Sequence, residues 1–247
     1  MEMKIEEKIL QLSKKKKIHF SLLDPDKQEP KKAGNIAKIV TEAGSSAIMV
    51  GGSTIQSPRQ VDDTIKAIKN NTNLPVILFP SSSQFLSKYA DAIFFMSLLN
   101  SRNLDYVIRE PVQGAKFVKQ SGLEPLSMGY VIVEPGMTVG KVGAADLLGK
   151  NDVETAVGYA LATQYFGMKF FYLEAGSGAT FPVSNKIIQG VKENTDLLLL
   201  VGGGIRDAQT AREKAEAGAD IIITGTALEN QETLKETLAD IIEAIQR

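Results

Sequence analysis

The feature that most constrains the fold of this chain is a regular alternation of eight short apolar runs with longer amphipathic segments. The runs are rich in β-branched and aromatic residues, and they occupy residues 18–23, 47–50, 76–79, 92–96, 127–133, 170–173, 197–201 and 221–224. Helical patterns follow most of them, for example at residues 58–70, 104–120, 153–166, 207–216 and 232–245. This alternation is typical of α/β proteins in which crossover helices join parallel strands.

Eight such units fit a closed barrel better than an open sheet. The chain has 247 residues, and a complete (β/α)8 barrel, or TIM barrel, typically needs about 250. No linker or low-complexity stretch divides the sequence, so we predict a single TIM-barrel domain over residues 1–247. In that fold the active site lies at the carboxyl ends of the strands.

Two connections depart from the regular pattern. Only about ten residues separate the third and fourth strands, which is the short limit for a crossover helix. We therefore predict an irregular third unit, which would leave a groove in the barrel wall. The longest loop-like segment, residues 134–150, is rich in glycine and follows the fifth strand. Its position suits a mobile cover over the active face.

Composition narrows the class of protein. The chain is 43% hydrophobic and 23% charged, which is typical of a soluble globular protein, and its net charge of −1 argues against a general nucleic-acid binder. It contains no cysteine, which excludes disulfides, thiolate metal sites and cysteine nucleophiles and favours a cytoplasmic location. No apolar run approaches the roughly 18 residues of a membrane span, and the charged amino terminus does not resemble a signal peptide. The lysine run at residues 14–17 is interpreted as a solvated helix end, with transient contact with anionic lipid as the alternative.

Two glycine-rich turns near the end of the chain predict a phosphate site. Residues 201–207 read VGGGIRD and lie between a strand and a helix, and residues 224–227, TGTA, repeat the arrangement after the last strand. Glycine allows a tight turn whose N–H groups face an anion at a helix N-terminus. Turns after strands seven and eight form the phosphate site that recurs in TIM barrels.

A third glycine turn follows the sixth strand, where residues 172–178 read YLEAGSG. Glu174 ends the strand and is interpreted as a general base or as an acceptor for substrate hydroxyls. Gly176 to Gly178 can add amide donors to the same anion. The alternative is a carboxylate that only caps the next helix.

The first strand ends in SLLDPDK, residues 21–27, which brings carboxylates to the same face of the barrel. Mg²⁺ binds through one or two carboxylates plus substrate phosphate oxygens, so we predict Asp24 as a metal ligand, with the Ser53 hydroxyl completing the shell. The alternative for this segment is a proline-aspartate turn with a helix cap. We assign that capping role to Asp26 or Ser57.

Two features of the barrel interior stay open at this stage. His19, the single histidine, lies within the first strand and is interpreted as a barrel-interior residue of structural or catalytic role. Aromatic and apolar residues in the middle of the chain either line a channel for an apolar substrate or simply fill the core, and the short third connection favours the channel. These residues are Phe79, Phe85, Tyr89, Phe94, Phe95, Met96 and Tyr130.

Taken together, the motifs resemble those of the geranylgeranylglyceryl phosphate synthase family, which includes the bacterial heptaprenylglyceryl phosphate synthases. The resemblance spans nearly the whole chain and is carried by SLLDPDK, MVGGS, YLEAGSG, VGGGIRD and TGTALE. Residues 94–103, FFMSLLNSRN, look like the second of the two family groups, which holds archaeal and bacterial members.

The resemblance implies a Mg²⁺-assisted prenyltransferase of archaeal ether-lipid biosynthesis. The C3 hydroxyl of sn-glycerol 1-phosphate would displace pyrophosphate from geranylgeranyl diphosphate, with Glu174 orienting or deprotonating it and with Asp24 and Ser53 holding Mg²⁺. It also implies a homo-oligomer, either a dimer or a hexamer. The glycerol phosphate contacts would be Tyr172, Leu173, Glu174, Ala175, Gly176, Ser177, Gly178, Gly203, Gly204, Gly225 and Thr226.

Two other functions remain open from the residues alone. A phosphosugar isomerase or synthase would use the same late phosphate turns, with Asp24 and Glu174 as acid and base. A non-catalytic barrel that binds a phosphorylated ligand is the other alternative. The sequence leaves the prenyl chain length undetermined.

Overall fold

The computed structural model describes residues 3–225 and 233–246, which form a closed barrel of eight parallel strands in sequential order. This confirms the predicted (β/α)8 fold. The strands are β1 (Ile18–Leu23), β2 (Ala47–Val50), β3 (Val76–Leu78), β4 (Ala92–Leu98), β5 (Glu124–Ile132), β6 (Phe170–Glu174), β7 (Leu198–Gly202) and β8 (Ile221–Thr224). The bounds of β1, β2 and β8 are those predicted from the sequence, and the others differ by one to three residues.

Nine helices are found in the described part of the chain. They are α1 (Ile5–Ser13), α2 (Pro30–Ala43), α3 (Pro58–Lys69), α4 (Glu110–Ser121), α5 (Met137–Val142), α6 (Val153–Tyr165), α7 (Asn185–Asn194), α8 (Ala208–Glu216) and α9 (Leu234–Ala244). The predicted helix at residues 104–120 begins as a π-helical turn, Asp105–Arg109, that leads into α4. A polar N-cap begins several of these helices, as at Ser57 of α3, which accepts a hydrogen bond from the Gln60 amide and confirms the predicted cap.

Strand side chains alternate between the barrel interior and the layer beneath the helices. In β6, Phe170 and Tyr172 belong to the interior cluster, whereas Phe171 and Leu173 pack against the outer helices. Both faces of the strands are buried, which explains why the strands appear in the sequence as continuous apolar runs.

The third unit is irregular, as predicted. Between β3 and β4 the chain forms only a three-residue 3-10 turn, Ser83–Phe85, in place of a crossover helix. The Glu110 carboxylate at the start of α4 accepts hydrogen bonds from the Ser82 hydroxyl and the Ser83 amide, and so ties α4 to this turn. A groove is therefore left between the turn, β4 and α4.

The amino-terminal helix α1 closes the end of the barrel opposite the carboxyl ends of the strands. Ile5 and Ile9 pack into the interior cluster, and the Glu124 carboxylate accepts hydrogen bonds from the Ile5 and Glu6 amides at 2.7 and 2.9 Å. The next three lysines after α1, at positions 14–16, are exposed, in agreement with the solvated interpretation of the lysine run. Across the described ranges, no helix has the length and apolarity needed to cross a membrane.

Candidate active site

The carboxyl ends of the strands surround a cleft of about 300 Å³. Asp24 and Ser53 lie on one side of it, and Glu174 and Ser177 lie on another. A smaller pocket adjoins it between the ends of β6, β7 and β8, lined by Tyr172, Glu174, Ser177, Gly203, Gly204 and Gly225. Glu174 borders both spaces, so a group held in the small pocket would meet the contents of the cleft at this carboxylate.

Among the described residues, Glu174 is the one carboxylate that lines both pockets, and it is 5% exposed. The Tyr130 hydroxyl donates a hydrogen bond to Oε2 of Glu174. Burial raises the pKa of Glu174 above its ordinary value, although hydrogen bonds from Tyr130 and Tyr172 act in the opposite direction. A buried carboxylate with a raised pKa, held between two phenol donors, has the properties of a general base.

Tyr130 and Tyr172 form an ordered aromatic pair beside this carboxylate. Their rings stack with centroids 5.1 Å apart and 16° between the planes, and the Phe79 ring packs edge-on against both. Burial, together with the neighbouring Glu174, raises the pKa of both tyrosines, so their hydroxyls remain protonated donors. Tyr172 was predicted as a site residue, whereas Tyr130 was predicted to line an apolar channel or to fill the core.

The glycine turns after β6 and β7 pack closely against each other at the small pocket. A Cβ built on Gly203 would lie 2.6 Å from the Gly176 amide nitrogen, and both residues have positive φ angles, 82° and 96°. Arg206 holds the same two turns together, because its guanidinium donates to the Gly178 and Ala179 carbonyls at 2.9 Å each. The predicted turns therefore come together, and Gly225 joins them at the end of β8.

Not every predicted glycerol phosphate contact faces this pocket with its side chain. Leu173 and Ala175 are fully buried in the outer cluster beneath the helices, so only their backbone atoms can serve the site. Thr226 lies outside the described residues. Tyr172, Glu174, Ser177, Gly203, Gly204 and Gly225 do line the pocket.

The candidate metal ligands Asp24 and Ser53 lie on the same wall of the cleft. Gly52 allows the Asp24 carboxylate to approach, because a Cβ there would lie 1.6 Å from Asp24 Oδ1. Lys27 places its Nζ 3.8 Å from Asp24 Oδ2. Within residues 3–225 and 233–246, no three histidine, cysteine, aspartate or glutamate side chains form a metal-binding group. One carboxylate and one hydroxyl are hard oxygen donors, and they fit a Mg²⁺ ion that completes its shell with water and substrate phosphate.

The structure corrects two predictions made for β1 and the turn that follows it. Asp26 does not cap a helix: Glu29 is the N-cap of α2, and the Asp26 carboxylate instead accepts a hydrogen bond from the Thr54 hydroxyl. His19 does not face the barrel interior. It lies in the outer layer, where its ring nitrogens contact the Ser45 and Thr224 hydroxyls, so it takes no part in the cleft.

Residues 134–150 do cover the active face, but they are tied to the barrel at both ends. The segment contains α5, and the Gly136 amide donates to the Ala175 carbonyl at 3.0 Å. Asn100, at the end of β4, donates to the Asp146 carbonyl at 2.7 Å and to the Ile132 carbonyl at 2.9 Å. The cover is thus a hydrogen-bonded wall of the cleft rather than a loose loop.

The cleft continues from the barrel interior into the groove of the third unit. As the channel interpretation predicts, the cleft is lined by Phe79, Phe94, Phe95, Met96 and Tyr130. Phe85 and Tyr89 do not line it and pack instead against a second outer cluster, which contains residues of α2 and α3. Two further walls of this space were not predicted from the sequence. Tyr106, Glu110, Gly114 and Val118 line it on the side of α4, and Thr138 and Val139 line it on the side of the cover. A glycine at position 114, inside a helical pattern, was the one available signal of a close approach.

Comparisons with known proteins agree with this geometry. The profile of the PcrB family matches residues 10–245. The chain is 51% identical over 237 residues to the geranylgeranylglyceryl phosphate synthase of Methanosarcina mazei, covering 96% of each chain. The crystal structure of (S)-3-O-geranylgeranylglyceryl phosphate synthase from Thermoplasma acidophilum in complex with its substrate sn-glycerol-1-phosphate superposes with a TM-score of 0.97 at 44% identity over 99% of both chains. The wild-type GGGPS of Thermoplasma volcanium gives a TM-score of 0.96 at 48% identity, over 99% of this chain and 98% of the other.

Proposed function

Because the chain belongs to the PcrB family and shares about half of its residues with geranylgeranylglyceryl phosphate synthases over nearly its full length, we propose that it is such a synthase. It transfers a prenyl group to the C3 hydroxyl of sn-glycerol 1-phosphate and forms the first ether bond of an archaeal membrane lipid. The observation that carries the proposal is the location of Glu174, a buried carboxylate between a glycine-lined anion pocket and an apolar cleft.

The small pocket supports the binding of the acceptor. Backbone amides at Ser177, Gly203 and Gly225 offer donors to a phosphate without adding a fixed positive charge. With the phosphate there, a three-carbon glycerol chain extends toward Glu174, whose carboxylate borders the same pocket. The T. acidophilum relative, whose structure contains sn-glycerol-1-phosphate, supports the same acceptor for this chain.

The apolar cleft supports geranylgeranyl diphosphate as the donor. Its lining runs from Phe79 and Phe94 inside the barrel to Phe95, Gly114 and Val118 in the groove of the third unit. The diphosphate end would then lie near Asp24 and Ser53, which would hold Mg²⁺. When bound, this ion supplies charge neutralisation to the leaving pyrophosphate.

In the reaction, the acceptor C3 oxygen forms a bond with C1 of the prenyl chain as the bond from C1 to the diphosphate oxygen breaks. The bonding electrons leave with pyrophosphate, and Glu174 takes the hydroxyl proton. Tyr130 and Tyr172 orient this carboxylate by donating to it. The apolar walls around C1 exclude water, which would otherwise capture the allylic carbon.

The outer face of α4 and of the π-helical turn supports a homo-oligomer. Leu104, Ile108 and Val112 recur at four-residue spacing and are 55%, 53% and 66% exposed, so they form an apolar stripe on the surface of the described chain. We propose this stripe as a contact between copies. Sedimentation equilibrium of the wild type and of Ile108→Glu distinguishes a monomer, a dimer and a hexamer, and an unchanged mass in the variant would exclude the stripe.

The proposed reaction is tested with sn-glycerol 1-phosphate, Mg²⁺ and prenyl diphosphates of graded length, with products read by mass spectrometry. We expect prenylated glycerol 1-phosphate that disappears with EDTA, and no product from sn-glycerol 3-phosphate. Glu174→Gln keeps the shape of the side chain but not its basicity, so kcat should fall by about a hundredfold or more. No ether product from any donor would contradict the proposal, and full activity in Glu174→Gln would exclude this residue as the base.

A further inference from the structure

A chain of buried polar side chains lies behind the carboxyl end of β8, in the layer between the barrel and the helices. The Ser21 hydroxyl is 2.9 Å from the Ser45 hydroxyl, which is 2.8 Å from His19 Nδ1. His19 Nε2 is in turn 2.9 Å from Thr224 Oγ1. All four side chains are at most 4% exposed. This series of hydrogen-bonded side chains therefore ends at Thr224, the residue immediately before Gly225.

The surroundings of this polar chain are apolar, so its presence needs a physical reason. Burying a hydroxyl or an imidazole costs free energy unless each is hydrogen-bonded. Here both ring nitrogens of His19 are satisfied in either neutral tautomer, because hydroxyls both donate and accept. The ladder between β1 and β8 already pairs Thr224 with Ser21, and an apolar side chain would fill the same volume without adding a directional side-chain bond to that pairing. A satisfied buried network adds such a bond, since its geometry is directional.

The three turns of the anion pocket are supported in different ways. The turns after β6 and β7 hold each other, because Gly203 packs against the Gly176 amide and Arg206 bridges to the Gly178 carbonyl. At Gly225, after β8, the nearest described atom beyond its chain neighbours would lie 3.6 Å from a built Cβ, so this side of Gly225 is less tightly packed than Gly203. Among the described residues, the side-chain hydrogen bond that lies directly before Gly225 is the one between Thr224 and His19.

We propose that His19 and Thr224 are positioning residues that fix the end of β8, so that Gly225 meets the acceptor phosphate. Neither side chain touches the acceptor: both act from behind the strand. The inference rests on the proposed function for the identity of the acceptor. It assigns to the single histidine a role in substrate affinity rather than in proton transfer.

The test removes the Thr224 hydroxyl with as little change in shape as possible. Thr224→Val keeps the branched side chain but loses the bond to His19, and Thr224→Ser keeps the hydroxyl. Thr64→Val is the matched control, because Thr64 is equally buried and its hydroxyl has no hydrogen-bond partner in the described part of the chain. Calorimetric binding of sn-glycerol 1-phosphate gives Kd without turnover, and steady-state kinetics separate its KM from kcat.

Thr224→Val should weaken the binding of sn-glycerol 1-phosphate by roughly threefold to tenfold, the range of one lost hydrogen bond. The KM for the prenyl diphosphate should not change, and Thr224→Ser and Thr64→Val should bind the acceptor as the wild type does. An unchanged Kd in Thr224→Val would overturn the inference. So would an equal loss in Thr224→Ser, or equal rises in KM for both substrates.

The proposed function and this inference fail in different ways. If the wild type forms the ether product and Thr224→Val binds the acceptor as tightly as the wild type does, the positioning role alone is overturned. A wild-type protein that binds sn-glycerol 1-phosphate without any ether product overturns the proposed function, and the positioning role is then decided by the Kd values of the variants.

Discussion

His19 should contribute a loss of stability to this protein as the pH is lowered from 7 to 5. Burial lowers the pKa of His19 from 6.5 to about 3. Because pH 5 lies well above the folded value, the native imidazole stays neutral at both ends of this range, whereas the unfolded chain takes up a proton below pH 6.5. The unfolded state therefore binds more protons, and stability falls as the pH falls.

The size of this effect follows from the linkage relation. Each pH unit below 6.5 costs about 1.4 kcal/mol of the free energy of unfolding, so pH 5 costs about 2 kcal/mol. For a chain of this length, that loss corresponds to a fall in Tm of about 4–8 °C. The sequence contains no second histidine, so no other imidazole contributes to the change in stability over this pH range.

Glu174 acts with the opposite sign. Burial raises the pKa of Glu174, so on acidification the native state binds a proton while the unfolded state is still ionised. The contribution of Glu174 to stability therefore grows as the pH falls. The wild type alone would thus show the sum of two opposing slopes. Subtracting the stability curve of His19→Gln from that of the wild type removes the contribution of the carboxylates, because the variant retains Glu174 and every other carboxylate.

The measurement is the Tm of both proteins by circular dichroism at half-unit steps from pH 5 to pH 8. We expect the variant to be less stable at pH 7, since it loses part of the buried network, and to lose less stability than the wild type on acidification. The two curves should converge toward pH 5. Parallel curves would refute the reasoning, because they would mean that His19 binds a proton equally in both states.

Two further predictions concern the cleft. Tyr130→Phe removes a hydrogen bond that lowers the pKa of Glu174, so the acidic limb of kcat/KM against pH should move to higher pH, and an unmoved limb would exclude this role. Gly114→Leu should shift donor preference toward shorter prenyl diphosphates. Even a Cβ at this position would lie 3.1 Å from Leu86, so a leucine would occupy space used by the prenyl chain. Each methylene of the donor that is displaced from the channel loses about 0.8 kcal/mol of binding free energy. Gly158→Leu, on an α6 position with open space around it, is the matched control, and an equal shift in both variants would contradict a channel at Gly114.

The local signals in the sequence were sufficient for the barrel and for most of the anion pocket. A strand followed by a glycine turn is encoded by neighbouring residues, so Gly203, Gly204 and Gly225 could be identified without coordinates. The wall formed by α4 could not be found in this way. Gly114 approaches Leu86 because the third crossover helix is missing, and the path of the chain around that gap is a tertiary property.

The orientation of side chains in the strands was the harder problem, because a strand buried on both faces has no polar side to mark its phase. A functional residue that faces the cleft nevertheless shows which residues of its strand point inward. If Asp24 faces the cleft at the end of β1, then Leu22, Phe20 and Ile18 point inward by the two-residue alternation of a strand, and His19 must point outward.

The same counting applies to β6, where an inward Glu174 implies an inward Tyr172 and an outward Leu173, as the structure has them. A single confident catalytic residue at the end of a barrel strand therefore determines which of its neighbours can offer side chains to the site and which can offer only their backbone. Applied to β1, this rule separates the proposed metal ligand Asp24, which faces the cleft, from the proposed positioning residue His19, which faces outward, before any coordinates are known.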